Sequence, residues 1–333
     1  MSMMLVTGGT GFIGNHVVRR LCEEKFSVRV LARPGSRLAC LESLPVEVVT
    51  GDLLDRPSLE RAVEGCQAVF HVAADYRLWA RDSRELYRNN VEGTEQMLAV
   101  ASERGVSRFV YTSTVGTIGI PKNGSEGTED SFPAPAALAG HYKRSKFMAE
   151  QAVLRYASRG YPVVVVNPTA PVGEGDWKPT PTGKIILDFL NRKIPAYLDT
   201  GLNWVDVRDV ADGHLAAWVR GKPGERYILG GRNMSFKQLL DSLSKITGLP
   251  SPSFRMPYGL ALCAAAVDSF VSRFSGKPPR VPWEGVRMAR HKMYVSTAKA
   301  QRELGYQPGD VESALERAVK WFQNNAAVRT VQS

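Results

Sequence analysis

Apolar and polar positions follow two alternating periods along the first half of the chain. Met3–Thr7 is a short apolar run that ends in glycines. Over 12–24, Ile13, Val17, Val18 and Leu21 recur at helical spacing and predict an amphipathic helix. Strand-like runs follow at Ser27–Ala32, Val46–Thr50, 68–72, Arg108–Thr112 and 162–167. Helical stretches lie between them near 58–64, 90–104 and 142–159. Gly65, Gly105 and Gly160 stand where helix C-caps belong. This repeated β-α-β order predicts a parallel sheet with helices on both faces. Right-handed crossovers make it an α/β fold, a Rossmann-type doubly wound sheet.

After residue 167 the rhythm breaks. Pro168, Pro171, Pro179 and Pro181, with Gly173, Gly175 and Gly183, predict loops. A strand at 204–207, a helix at 210–219 and a strand at Arg226–Leu229 follow. Helices are then expected at Phe236–Thr247, with Ser235 as N-cap, and at 258–274, Ala298–Leu304 and Val311–Asn324. The expected division is a sheet domain over 1–170, to which 204–230 returns. A smaller interleaved lobe takes 171–203 and 231–325, and 326–333 is a frayed tail.

Composition narrows the classes. With 333 residues, 44% of them apolar and 23% charged, the chain is neither disordered nor of low complexity. The formal net charge of +10 suits an anionic ligand, nucleic acid or an acidic membrane surface. Cys22, Cys40, Cys66 and Cys263 form no C-x-x-C, which argues against a disulfide framework or zinc cage and fits a reducing, cytoplasmic setting. Residues 1–7 run into glycines before an apolar signal region forms, so no signal peptide is expected. The longest apolar stretch, around 260–267, is interrupted at Asp268 and is too short to span a bilayer. Five scattered histidines lack ligand spacing, so no metal is expected. No nucleic-acid module is visible, and nucleic acid is not the expected partner.

Thr7-Gly8-Gly9-Thr10-Gly11-Phe12-Ile13-Gly14 joins the first predicted strand to the first helix. Gly8, Gly11 and Gly14 fit G-x-x-G-x-x-G, and Gly9, Gly11 and Gly14 fit G-x-G-x-x-G. Glycine permits the tight turn and lets backbone approach a pyrophosphate, which the helix N-terminus then attracts. The place of this motif between a strand and a helix marks 1–170 as a dinucleotide-binding unit. The second strand closes as Leu31-Ala32-Arg33-Pro34-Gly35-Ser36-Arg37, with no carboxylate to accept from ribose hydroxyls. Arg33 and Arg37 are candidates for pairing with a 2′-phosphate, which favours NADP over NAD; a solvated surface arginine is the plain alternative. Asp52, followed by Leu53, is a candidate acceptor from the adenine amino group or a cap of the next turn.

Tyr142 and Lys146 stand at i and i+4 on a predicted helix and share a face. An adjacent ammonium and a positive nicotinamide are expected to lower the phenol pKa from about 10, so that Tyr142 exchanges a proton at a substrate oxygen while a hydride moves. The fifth strand ends in Tyr111-Thr112-Ser113-Thr114 at the sheet edge where ligands bind. Thr114 is the candidate partner of the substrate oxygen, with Ser113 nearer the cofactor.

Together these residues resemble the extended short-chain dehydrogenase/reductase superfamily. The likeness runs through the glycine loop, Gly51-Asp52-Leu53, His71-Val72-Ala73-Ala74, Asn90-Val91-Glu92-Gly93-Thr94, Ser113-Thr114, Tyr142 to Lys146, and Val205-Asp206-Val207-Arg208-Asp209-Val210-Ala211. The resemblance implies a triad of Thr114, Tyr142 and Lys146, with Thr in place of the usual Ser. It implies cofactor contacts at Ala73, Ala74 and Asn90, a Lys146 contact with the nicotinamide ribose, and a nicotinamide bordered by Asn167, Pro168 and Thr169. The segments 71–79, 140–147 and 178–183 are similar to the hopanoid-associated sugar epimerase family of bacteria, and also to dihydroflavonol 4-reductases.

On the substrate side, Asp75, Tyr76, Arg77 and Trp79 follow the fourth strand and are expected over the nicotinamide end of the cleft. Tyr76 and Trp79 suit stacking on a sugar or flat ring, or plain packing between lobes. Lys178 and Lys184 are candidates for an anionic substrate group. Arg280, Arg287, Arg290 and Lys292, with Trp283 and Tyr294 interleaved, read as a diphosphate clamp or an exposed basic face. The helix at 258–274 is expected to be buried, because Ala261, Ala264, Ala265 and Ala266 pack well; contact with a membrane surface is the alternative. The readings of function are a sugar epimerase, an NADPH-linked carbonyl reductase and a non-catalytic NADP-binding regulator. The substrate would be a sugar, nucleotide sugar or carbonyl compound, and the resemblance suggests a homodimer through helices 90–104 and 142–159.

Overall fold

The computed structural model describes residues 2–77, 80, 82–121, 123–138, 140–275 and 283–325. Trp79, Arg280 and the expected tail 326–333 lie outside these residues. The first half builds β1 (Met3–Thr7), α1 (Phe12–Glu23), β2 (Ser27–Ala32), β3 (Val46–Thr50), α2 (Arg56–Val63), β4 (Cys66–His71), α3 (Arg84–Tyr87), α4 (Gly93–Glu103), β5 (Arg108–Thr112) and α5 (His141–Ser158). Next come β6 (Val163–Pro168), β7 (Ala170–Val172), α6 (Pro181–Leu190), β8 (Gly201–Asp206), α7 (Val207–Arg220), β9 (Arg226–Leu229), β10 (Arg232–Ser235) and α8 (Phe236–Thr247). The chain closes with α9 (Tyr258–Ser275), α10 (Trp283–Met288), α11 (Ala298–Leu304) and α12 (Val311–Asn324).

Seven strands form one sheet in the order β3-β2-β1-β4-β5-β6-β9. Every pair in it is parallel. The expected doubly wound sheet is therefore present. Its inner strands β1, β4, β5 and β6 are buried on both faces, which is why they read as apolar runs, whereas the edge strand β3 is largely exposed. On β1, Met4 and Val6 pack with Val17, Val18 and Leu21 of α1, whereas Leu5 packs with Met97 and Leu98 of α4 and Ala149 and Val153 of α5. The chain leaves β1 toward β2 and β3, then returns to place β4 on the other side. That reversal opens a crevice at the carboxyl ends of β1 and β4.

Several expectations change. Pro179, Pro181 and Gly183 predicted a loop, yet α6 begins at Pro181. Proline at the first helical position costs no hydrogen bond, and the Thr180 hydroxyl caps Gly183 N–H at 3.2 Å. The strand expected at 204–207 is β8; it lies in a second sheet, β10-β8-β7, and Val207 already starts α7. The helix expected over 90–104 is interrupted: a π-helical turn at Arg88–Glu92 precedes α4. Ser235 caps α8 as the sequence suggests, in a reciprocal capping box with Gln238. A second core includes Ile186, Phe189, Trp204, Leu240, Leu315 and Phe322, so Trp204 packs here rather than with the seven-stranded sheet to which 204–230 was expected to return. Helix α9, expected to be buried, packs Ala261 and Ala265 with Val286 of α10 but leaves Leu260, Val267 and Val271 exposed. Among the described residues no helix is long and apolar enough to cross a membrane.

Two histidines are fully buried, His71 at the end of β4 and His214 on α7. His71 bridges the hydroxyls of Thr7 (2.8 Å) and Thr94 (3.0 Å), and His214 joins Thr112 Oγ1 (2.8 Å) to the Val210 carbonyl (2.7 Å). Burial pushes His71 down to about 3 and His214 down to about 4. Both stay neutral in the fold but take a proton near 6.5 when unfolded. Stability is thus full above 6.5 and drains as pH falls toward 4. The melting temperature should begin to fall below about pH 6.5 in a differential scanning series; a flat profile down to pH 5 would contradict these environments.

Candidate active site

The turn between β1 and α1 is set by two glycines. Gly8 has φ +74°, and a Cβ there would lie 2.7 Å from the Ala73 backbone just past β4. A Cβ on Gly14 would meet the Gly8 carbonyl oxygen at 2.1 Å. Gly11 N–H donates to that same oxygen at 2.9 Å. Helix α1 has no side-chain cap bond and no acid in its first turn, so its leading N–H groups carry no protein side-chain acceptor. This cradle fits a dinucleotide pyrophosphate. Thr10, Phe12 and Ile13 complete the turn, and the loop after β2 is fastened by Asn15 Nδ2 to the Cys40 carbonyl at 3.1 Å. Arg33 is exposed at the end of β2. The Arg37 guanidinium lies 4.2 Å over the Trp177 ring. Asp52 Oδ1 accepts Leu54 N–H at 2.9 Å, the turn cap that the sequence offered as one of its two roles. Leu53 packs against Gly93, and Ala74 is exposed past β4.

The β5 end brings Thr114 and Tyr142 together. Thr114 Oγ1 accepts Gly116 N–H at 3.1 Å, and the Thr114 side chain is near enough to the Tyr142 phenol to favour its ionised form. Ser113 instead faces Thr117 Oγ1 at 3.5 Å. Burial holds the Tyr142 phenol above its ordinary value; the Thr114 hydroxyl opposes that, and the Asp75 charge reinforces it. The expected lowering by Lys146 does not appear. Lys146 Nζ donates to Tyr111 Oη and to the Thr112 carbonyl, each at 2.8 Å, and lies 4.4 Å over the Tyr111 ring. The side chain is 2% exposed, and burial pulls its pKa down to about 7 against the pull of Glu150. An amine whose charge burial disfavours, and whose hydrogen bonds go to Tyr111 and the Thr112 carbonyl, does not offer Tyr142 the free ammonium that the i, i+4 spacing suggests.

Behind Lys146 stands a network that the sequence reading missed. Glu150, fully buried, pairs with Arg226 Nη1 at 2.7 Å and accepts from Thr117 Oγ1 (2.8 Å) and Asn167 Nδ2 (2.9 Å). Asn167 Nδ2 also reaches the Thr114 carbonyl at 3.2 Å, while its buried Oδ1 has no partner among the described residues. Thr169 Oγ1 turns toward Asn203 Oδ1 at 3.0 Å, with Pro168 closing β6 between them. Asn90, in the π turn, donates to the Asp75 carbonyl (2.9 Å) and Ser145 Oγ (3.0 Å) and accepts Asp75 N–H (2.7 Å). It locks the loop after β4 to α5, and both ends of its amide are committed. One signal was available in the sequence: Glu150 is four residues beyond Lys146, on the same helix face.

A sequence profile of the NAD dependent epimerase/dehydratase family matches residues 4–230. The chain belongs to this family. It is 49% identical over 330 residues to a Synechocystis sp. protein that bears the provisional name dihydroflavonol 4-reductase, covering 98% of this chain and 96% of that one. It is 34% identical over 326 residues to the sterol demethylase protein B of Methylococcus capsulatus, covering 97% and 99%. The crystal structure of a nucleoside-diphosphate-sugar epimerase from Pseudomonas aeruginosa superposes with a TM-score of 0.82 at 25% identity, covering 97% and 98%. As a family member the protein is an NAD(P)-dependent enzyme.

At the substrate end the family scaffold carries groups that are already engaged. Burial works against the Asp75 carboxylate, yet Arg77, bound through both Nε and Nη2, holds it below the usual range. Tyr76 donates to the Lys178 carbonyl at 3.2 Å, and burial pushes its phenol up to about 12. The Lys178 ammonium end is exposed, whereas Lys184 pairs with Asp188 at 2.7 Å within α6. Lys292 pairs with Asp199 at 3.3 Å, and Arg287 and Arg290 are exposed. Among the described residues no cluster of three or more His, Cys, Asp or Glu side chains is placed to hold a metal ion. Gly14→Ala should weaken NADPH binding at least about tenfold, because a methyl group must displace backbone rather than a flexible side chain. Fluorescence titration checks this, and an unchanged Kd would contradict the cradle.

Proposed function

We propose that the protein is an NADP(H)-linked reductase or dehydrogenase interconverting a ketone and a secondary alcohol. The carrying observation is that α5 sets Tyr142 at the β5 end that carries Thr114, one turn before Lys146, whose buried Nζ donates to Tyr111 Oη and the Thr112 carbonyl. In this reading Thr114 and Tyr142 hold the substrate oxygen, and Tyr142 passes it a proton on reduction or removes one on oxidation. Lys146 and the unpartnered Asn167 Oδ1 would hold the ribose and carboxamide of the nicotinamide, which supplies or accepts the hydride when bound. Gly8 to Gly14, Asp52, Leu53, Ala73 and Ala74 would line the rest of the dinucleotide. Exposed Arg33 would meet the 2′-phosphate, with Arg37 held on Trp177 beside it. The substrate would enter past Asp75 and Tyr76, with Lys178 and Arg287 at the rim.

Likeness to the dihydroflavonol 4-reductase and the sterol demethylase protein supports this reading over a sugar epimerase. The second reading, a hopanoid-linked sugar epimerase, draws on the Pseudomonas aeruginosa epimerase and on the 71–79 and 140–147 segments. Family membership sets aside a non-catalytic regulator. A cytoplasmic enzyme fits the cysteines, all four of which are free. A homodimer through α4 and α5 would cover exposed Met148.

Tyr142→Phe should lower kcat by about 10²- to 10⁴-fold, with NADPH affinity nearly unchanged; retained turnover would remove Tyr142 from the chemistry. Arg33→Ala should weaken NADPH about tenfold or more while sparing NADH. Nucleotide released on denaturation separates the two readings: tightly held NAD favours epimerisation, and an empty site that prefers NADPH favours reduction.

A further inference from the structure

A lysine withdrawn from solvent needs a partner for its charge. Five of the described lysines are not exposed, and four of them have oxygen partners. Lys184, Lys237 and Lys299 pair with Asp188, Asp241 and Glu225. Lys146 donates to Tyr111 Oη and the Thr112 carbonyl. Lys143 is the exception among the described residues. Its Nζ meets the thioether sulfur of Met293 at 3.9 Å, and sulfur is a weak acceptor. Burial disfavours its charge, and no neighbouring acid restores it. An ammonium has three N–H donors, so this half-buried amine keeps donors that the chain does not use.

The place of the amine points to a use. Lys143 follows Tyr142 directly on α5. Its stem runs over Gly116: a Cβ there would lie 3.4 Å from Lys143 Cγ, 3.5 Å from Lys143 Cε and 3.4 Å from the Thr114 methyl group. The lysine stem and Thr114 therefore flank one spot at the β5 end, and glycine at 116 leaves the stem room to lie there. Met293, at the tip of the stem, is fastened to the second sheet. Its N–H donates to the Gly201 carbonyl of β8 at 2.8 Å, and it forms a bridge with Leu202. The amine thus reaches from the β5 end, beside Thr114, to the edge of the second sheet. A substrate whose oxygen rests on Thr114 and Tyr142 can set an acidic group a few bonds away on Lys143. One lysine balances the single charge of a carboxylate, whereas a phosphate monoester carries close to two.

We propose that Lys143 sets substrate specificity: its ammonium takes the carboxylate of a keto acid or hydroxy acid whose reacting oxygen rests on Thr114 and Tyr142. The role in turnover rests on the ketone–alcohol reading, whereas the anion site is tested without it. The full chain with NADP present is titrated with acetate, inorganic phosphate or chloride at equal ionic strength. The Lys143 ε-carbon is followed by NMR and assigned through its loss in Lys143→Met. Acetate should shift it saturably, with a midpoint below about 50 mM, and chloride should not. In turnover with NADPH, acetoacetate or levulinate should be preferred to its methyl ester by at least about tenfold in kcat/KM. Lys143→Met should remove that preference by raising KM for the acid, with kcat within about twofold and the melting temperature unchanged. Lys143→Arg should keep most of it. Absence of an acetate shift, or a Lys143→Met enzyme that still prefers the acids, overturns the proposal. A tighter response to phosphate than to acetate assigns a phosphate ester and overturns it equally. An acetate shift seen while no ketone is reduced upholds the anion site and counts against the ketone–alcohol reading.

Discussion

A lysine amine buried at the carboxyl edge of a parallel sheet is the constraint around which this site is built. An ammonium in such a place needs acceptors, and Lys146 finds Tyr111 Oη and the Thr112 carbonyl, both supplied by β5. Those bonds fix the rotation of α5 against β5. Because Tyr142 is one turn earlier on the same face, they also fix its phenol against Thr114. Glu150, one turn later, ties the same helix to Arg226 on β9 and to Asn167 on β6. One helix face thus gathers three strand ends into one site.

The cost of this arrangement explains its surroundings. A buried ion pair adds little net stability, but removing one partner leaves the other charge stranded, at about 3–5 kcal/mol. Glu150 and Arg226 are therefore better understood as holding the site in register than as a source of stability. Burial makes Lys146 partly neutral and keeps the Tyr142 phenol protonated. The chain by itself thus presents a proton donor at residue 142. That suits delivery of a proton to an oxygen that is gaining a hydride on its carbon.

Much of this was legible in the sequence. The unbroken apolar runs of β4, β5 and β6 announce a sheet buried on both faces, and Gly8 and Gly14 announce the turn that closes on Ala73. Tyr142 and Lys146 announce themselves by spacing. Less legible were features that depend on what meets across the fold. Tyr111 looked like an ordinary strand aromatic until β5 was set beside α5. Pro181 looked like a loop residue because proline at a first helical position and proline in a turn share the same local sequence. The exposure of α9 could not be read from its composition, since alanines serve a core and a surface equally well; only the packing of Ala261 and Ala265 on Val286 reveals which side is left over.

The central claim is that Lys146 is a buried, engaged amine rather than a free surface charge. Titration of the Lys146 ε-carbon by NMR, assigned through its loss in Lys146→Met, tests this directly. A midpoint near 7, far below the ordinary lysine value of about 10.4, is the predicted result. A midpoint at the ordinary lysine value would show the amine in water and contradict the account of how the site is held together.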